Sequence, residues 1–247
     1  MQMRYVNNIR EYSMQNSSTP EVYFKDRGDA AEKLIETLPL ALLHENRTVV
    51  IGVSEGGVYF ADRIARAAHA EMDILLTEPI LAPNNDELAV AMVSETEELV
   101  MHKALIDAFD ISEDYIYAEA ERKYEEKVLS HVYRYRQGRE LTDLNGKYVI
   151  LADECVETGL TMMVALKSAI GKGAKNVYIA TPILDTSVYQ NLLSVCDGVF
   201  CPYRIENYIS IEYYYAHFDP YGYEEVMQLV ERYKGYPKDF DIKKKEV

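Results

Sequence analysis

At 247 residues, with 48% apolar and 27% charged side chains, the chain can bury a full core and is too apolar for wholesale disorder. Its 41 acidic side chains outweigh 26 basic ones, for a net charge of −15. That balance repels a phosphate backbone and argues against nucleic acid as a partner.

The opening Met1-Gln2-Met3-Arg4-Tyr5-Val6 lacks the apolar core of a signal peptide. No apolar run approaches the roughly 20 residues needed to cross a bilayer. The expectation is a cytoplasmic protein with a small-molecule ligand and no membrane partner. Three cysteines, Cys155, Cys196 and Cys201, are an odd number without Cys-x-x-Cys spacing, which fits a reducing compartment. The five histidines are scattered and give no zinc pattern.

In chain order, residues 1–20 are polar and end in the turn Asn16-Ser17-Ser18-Thr19-Pro20, an N-terminal extension before one domain over 21–236. Ala31, Leu34, Ile35, Leu38 and Leu42 predict a helix over 30–43. Residues 48–53, Thr-Val-Val-Ile-Gly-Val, read as a buried parallel strand. After the turn Ser54-Glu55-Gly56-Gly57 comes a helix buried through Ala61, Ile64, Ala65 and Ala68, then a strand over 72–76. Residues 78–147 differ in character and read as a lid and long-helix insertion. Within them, Tyr117, Ala120, Tyr124, Val128, Val132 and Tyr135 predict one long helix over 113–138. Its pattern fits a lid, a homodimer interface or a solvated helix against the sheet. The strand–helix–strand unit then returns: strand 148–152, loop 153–159, and a helix over 161–170 with Ala165, Leu166, Ala169 and Ile170 inward. Gly171 and Gly173 stop that helix, and strands follow at 176–180 and 199–201. Residues 237–247, with Lys243-Lys244-Lys245, form a tail. Such repeats imply an α/β fold with a parallel sheet of about five strands and helices on both faces.

Ligands of open α/β sheets bind beyond the carboxyl ends of the strands, and two unusual loops lie there. In Val149-Ile150-Leu151-Ala152-Asp153-Glu154-Cys155-Val156-Glu157-Thr158-Gly159-Leu160-Thr161, two carboxylates leave a buried strand and a Thr-Gly turn opens a helix. Carboxylates accept hydrogen bonds from a ribose diol, while helix-start N–H groups and the Thr158 and Thr161 hydroxyls can cradle a phosphate. No Gly-x-Gly-x-x-Gly follows either strand, which argues against a Rossmann-type cofactor site.

These thirteen residues resemble the phosphoribosyl pyrophosphate (PRPP) signature of type I phosphoribosyltransferases: four apolar residues, an acidic pair, then Thr-Gly-x-Thr. A little-characterised branch of that family is similar also at Phe24-Lys25-Asp26-Arg27, Gly56-Gly57-Val58, Ala82-Pro83-Asn84 with Glu87-Leu88-Ala89, Tyr135-Arg136-Gln137-Gly138-Arg139, and Ala216-His217-Phe218. The resemblance implies a type I phosphoribosyltransferase-like sheet with a hood or lid, residues 78–92 serving as the lid. It implies transfer of a phosphoribosyl group from Mg²⁺-bound PRPP to a nitrogen nucleophile, with Asp153 and Glu154 holding the ribose and reaching Mg²⁺ only through substrate or water. Glu157, Thr158, Gly159, Leu160 and Thr161 become the 5-phosphate loop, and Ser54, Glu55, Gly56 and Gly57 the pyrophosphate loop. The branch usually carries a basic residue at Glu55, an Arg-Lys pair around Thr77-Glu78 and a small residue at Glu157. These reversals leave a second reading: a protein that keeps the ribose-phosphate pocket for a regulatory role without turnover.

Overall fold

The computed structural model describes residues 22–219 and 221–233; the expected N-terminal extension and the tail at 237–247 lie outside them. Asp26 caps the first helix, α1 (Arg27–Glu36), by accepting from the Asp29 N–H at 2.9 Å. The helix expected over 30–43 is two, because Pro39 has no N–H to continue the ladder and restricts the residue before it. The second, α2, covers Leu40–Glu45, and Leu42, expected inward, is exposed.

Then come β1 (Thr48–Gly52), α3 (Glu55–Ala68) and β2 (Glu71–Ile74). Residues 75–76, expected to extend that last strand, lead out of it into β3 (Thr77–Leu81). A hairpin joins β3 to β4 (Ala89–Ser94), and β5 (Leu99–Met101) completes an antiparallel sheet of three strands. Asn85 shapes the hairpin turn, its side chain accepting from the Glu87 and Leu88 N–H groups at 3.0 and 3.1 Å. The insertion is therefore a small sheet as well as a helix, which its sequence pattern did not specify. Next lie α4 (Lys103–Ala108), α5 (Glu113–Lys123), a π-helical turn at Tyr124–Val128 and α6 (Leu129–Arg136). The helix expected over 113–138 thus holds a wide turn and stops at Arg136, where Gln137 turns left-handed at φ 56°. Ile116 rather than Tyr117 faces inward, and Tyr117 is exposed. The remainder is β6 (Tyr148–Ala152), α7 (Leu160–Gly171), β7 (Asn176–Ala180), β8 (Ile183–Asp185), α8 (Thr186–Leu193), β9 (Gly198–Phe200), β10 (Tyr203–Ile205), a 3-10 turn at Ile211–Tyr214, and α9 (Tyr223–Arg232).

The main sheet has five parallel strands in the order β2-β1-β6-β7-β9. Its central strands are buried on both faces, as their β-branched runs require. Period-two alternation splits the core in two. Val50, Ile150 and Ala152 meet α1, α3 and α9 on one face. Val49, Ile51, Val149, Leu151 and Ile179 meet Met162, Ala165, Leu166 and Ala169 of α7 on the other. Ile170, expected inward, is exposed. A third cluster packs the small sheet against α4 and α5 through Ile80, Val90, Val93, Ile106 and Ile116. Met92 joins that sheet to Leu160 and Val164 of α7.

One charged group crosses these layers. Arg136, fully buried, pairs with Glu95 and lies 3.9 Å from Asp73. Glu95 accepts from the Leu76 N–H and Asp73 from the Thr142 N–H, both at 2.9 Å. Strand β2, the turn after β4, the end of α6 and the segment before β6 therefore share one ionic cluster.

The start of α3 is pressed against β1. A Cβ at Gly52 would lie 2.8 Å from the Val58 Cα, a backbone atom that cannot rotate aside. Gly52→Ala should therefore destabilise the chain by about 1–3 kcal/mol. It should lower the urea midpoint with little change of slope. An unchanged midpoint would show that α3 can back away from the sheet.

Candidate functional site

The strand order reverses direction between β1 and β6, and an open sheet leaves a crevice at such a point. Gly52 pairs with Ala152 at the carboxyl ends of these neighbouring strands, so the loops that follow emerge side by side. One short contact joins them: the Ser54 hydroxyl donates to Asp153 Oδ1. The same Ser54 oxygen caps α3, accepting from the Gly57 N–H at 2.8 Å. What the sequence presents as a turn at 54–57 is thus an N-cap followed by the first turn of a helix. Glycine is required there because a Cβ at Gly57 would come within 2.5 Å of the Ala152 carbonyl oxygen, and one at Gly56 would run into the Glu154 carboxyl group.

The two adjacent carboxylates sit in different surroundings. Asp153 is 7% exposed, and burial pushes its pKa up to about 7, against hydrogen bonds from Ser54 and from the Glu154 N–H at 2.8 Å. Glu154 lies across Gly56 and is paired by the Arg27 guanidinium. Arg27 is itself 8% exposed, donates from Nε to the Asp219 carbonyl at 3.0 Å and stacks 4.3 Å from the centre of the Phe218 ring. Beside them, burial pushes the Cys155 thiol up to about 12. The Tyr208 hydroxyl donates to its sulfur at 3.5 Å, and such a thiol is not a nucleophile.

The second loop is pinned before it turns. The Val156 N–H donates to the Ile183 carbonyl at 3.0 Å, and the Val156 carbonyl accepts from the Asp185 N–H at 2.8 Å. Gly159 then adopts φ +76°, a left-handed conformation open to glycine, and α7 starts at Leu160. No side chain caps α7, which leaves its first N–H groups for an anion. Glu157 and Thr158 are exposed, Leu160 is buried against Met92, and Thr161 is half-buried.

Thr161 and Ser54 reach one cavity of about 260 Å³ between the crevice, the small sheet and α6. Its wall is mostly apolar, from Val53, Ile74, Leu75, Leu76, Pro79 and Met92. Glu55, Thr77, His131 and Tyr135 supply the remaining polar groups. The Tyr135 hydroxyl donates to Glu55, which has no ion-pair partner among the described residues. The three acidic departures therefore part company. Both Glu55 and Glu157 are exposed, but Glu55 stands at the cavity wall and Glu157 does not line it. Glu78 is taken up by Lys123 at 3.7 Å and His131 at 3.2 Å.

Sequence reasoning named Asp153, Glu154, Ser54, Gly56 and Gly57, and the fold brings them together. Arg27 and Tyr135 belong to segments that resemble the family, but the resemblance implies no site role for either. No local signal marks them, since their partners are 127 and 80 residues away.

The raised Asp153 pKa sets a pH dependence. The folded chain holds this proton more tightly than the unfolded chain, so the group's contribution is most favourable at acid pH and is lost as pH rises through about 7. In Asp153→Asn, the amide oxygen keeps both hydrogen bonds and the charge disappears. The unliganded variant should gain stability over wild type at pH 8, by about 1–4 kcal/mol, and gain little at about pH 4, near the unfolded carboxyl's own pKa. Thermal unfolding at the two pH values checks this, and an equal shift at both would contradict it.

Comparison with known proteins supplies the family. Residues 23–216 match the model of the phosphoribosyl transferase domain. Proteins from two strains of Mycobacterium tuberculosis, whose names mark phosphoribosyl transferase activity as provisional, are 27% identical over 209 residues, 85% of this chain. The chain spans 46% of those relatives' length, about half. A crystal structure of a Thermus thermophilus protein superimposes with a TM-score of 0.71 at 29% identity, covering 86% of this chain and 99% of that one. The chain belongs to the phosphoribosyl transferase domain family.

Proposed function

We propose that this chain transfers a phosphoribosyl group from Mg²⁺-bound PRPP to a nitrogen nucleophile, such as a nucleobase, with release of pyrophosphate. The observation that carries the reading is the Ser54–Asp153 contact, which sets an acidic pair, an uncapped helix start and a glycine-rich helix start around one crevice. In this reading the 5-phosphate lies on the N–H groups of 157–161, and its ribose hydroxyls donate to Asp153 and Glu154. The two carboxylates lie where positive charge develops at the anomeric carbon as the leaving group departs, and catalysis rests on positioning and charge stabilisation. The thiol of Cys155 has no part in it.

Mg²⁺ fits this donor set only indirectly. Among the described residues, no three His, Cys, Asp or Glu side chains form a group that could hold a metal ion. Asp153 Oδ1 is already engaged by Ser54 and the Glu154 N–H, and Glu154 by Arg27. The metal would arrive on the diphosphate, neutralising its charge, with Asp153 and Glu154 reaching it through substrate or water.

Glu55 favours a second reading, a protein that binds a ribose phosphate or nucleotide in a regulatory role without turnover. A carboxylate without a countercharge on the cavity wall opposes a diphosphate next to it. Calorimetric titration with PRPP and with ribose 5-phosphate, each with and without Mg²⁺, separates the two. Binding of PRPP that requires the metal, with pyrophosphate released once an acceptor is added, supports the transferase. Binding of ribose 5-phosphate alone supports the regulatory protein.

The charge reversals give a finer test. Glu55→Arg should tighten Mg²⁺–PRPP binding by on the order of tenfold, because a cavity-wall charge changes sign. Glu157→Ala, at an exposed position that does not line the cavity, should change it by no more than about twofold. Asp153→Asn should weaken it. Tight binding by the wild type with no gain from Glu55→Arg would remove the case against turnover.

A further inference from the structure

The two carboxylates of the acidic pair are held by different means. Asp153 is fixed locally, by Ser54 and by the N–H of the next residue. Glu154 has three rotatable bonds between its carboxyl group and the backbone, and its side-chain hydrogen bond is to Arg27. A side chain with that freedom accepts a diol well only when something else sets its direction.

Arg27 is built to do so. It opens α1, its Nε is tied to the Asp219 carbonyl, and its guanidinium rests on the Phe218 ring. The strip around it is paired along its length. The Ala216 N–H donates to the Phe24 carbonyl at 2.8 Å, and the His217 N–H to the Lys25 carbonyl at 2.9 Å. The position of the guanidinium is therefore set jointly by the segment before α1 and by the segment after the 3-10 turn. Glu154 is set in turn, across Gly56, where any side chain would displace it. A buried guanidinium is a costly way to fill space, and an apolar residue of similar volume serves packing as well or better. Its charge is placed on the one member of the acidic pair that lacks a local anchor.

We propose that Arg27 is a positioning residue for Glu154, holding that carboxylate over Gly56 to accept a ribose hydroxyl, and linking it to the 216–219 segment. This assignment rests on the phosphoribosyl reading of the crevice. Arg27 touches no substrate itself; it acts through Glu154.

The test titrates the full chain calorimetrically with ribose 5-phosphate and, separately, with inorganic phosphate, which reaches the 157–161 loop and not Glu154. Arg27→Gln should weaken ribose 5-phosphate binding by about tenfold or more and leave phosphate within about twofold. The double variant Arg27→Gln with Glu154→Gln should bind no more weakly than Glu154→Gln alone, since both remove one interaction. Unchanged ribose 5-phosphate affinity in Arg27→Gln, equal losses for both ligands, or additive losses in the double variant would each overturn the assignment. Should Arg27→Gln fail to fold by circular dichroism, the same ratio is read on Arg27→Lys, which keeps the charge and loses the planar fork. A wild type that binds neither ribose 5-phosphate nor PRPP would remove the phosphoribosyl reading together with the assignment. A wild type that binds ribose 5-phosphate, with Arg27→Gln its equal, would remove the assignment alone.

Discussion

The arrangement depends on the parallel pairing of β1 with β6, in register from Thr48 opposite Tyr148 to Gly52 opposite Ala152. Because the paired strands end together, the residues that follow each strand meet, and Ser54 can both cap α3 and donate to Asp153. A slip of one residue would turn Val49, Ile51, Val149 and Leu151 toward the wrong helices and separate the two loops. The register that buries the core is thus the register that assembles the crevice.

Glycine and charge then shape what that pairing allows. Gly52, Gly56 and Gly57 remove side chains where backbone, carbonyl and carboxylate would collide, so α3 starts directly against the acidic pair. The cost of placing Asp153 in this dry corner appears as its raised pKa. Glu154 instead meets a countercharge, the Arg27 guanidinium. Two neighbouring carboxylates with unequal surroundings are a common way to divide labour in one site.

The cavity beside the crevice is closed by elements foreign to the parallel sheet. The small antiparallel sheet contributes Thr77, Pro79 and Met92, and α6 contributes His131 and Tyr135. Arg136, one residue beyond Tyr135, pairs with Glu95 and lies 3.9 Å from Asp73, and so ties the end of α6 to the turn after β4 and brings it beside strand β2. Removing one partner of such a cluster leaves a buried charge uncompensated, which costs about 3–5 kcal/mol.

By itself, the sequence determined the sheet and the two loops. The β-branched runs at 48–52, 148–152 and 176–180, and the Asp-Glu and Thr-Gly-x-Thr pattern after the second, carry their meaning within a dozen residues. Pro39 was equally visible, and ends a helix that apolar periodicity alone extends to residue 43. The π-helical turn was not visible, because a wide turn needs no unusual residue, and neither was the inward face of α5, where Ile116 rather than Tyr117 is buried. Nor did composition disclose the direction of the three reversed charges. Glu78 is absorbed by Lys123 and His131, while Glu55, exposed beside a cavity, meets a tyrosine hydroxyl and no countercharge among the described residues. Only the tertiary structure decided this. A carboxylate's effect depends on what stands within a few ångströms of it, and those neighbours come from segments that the chain brings together only by folding.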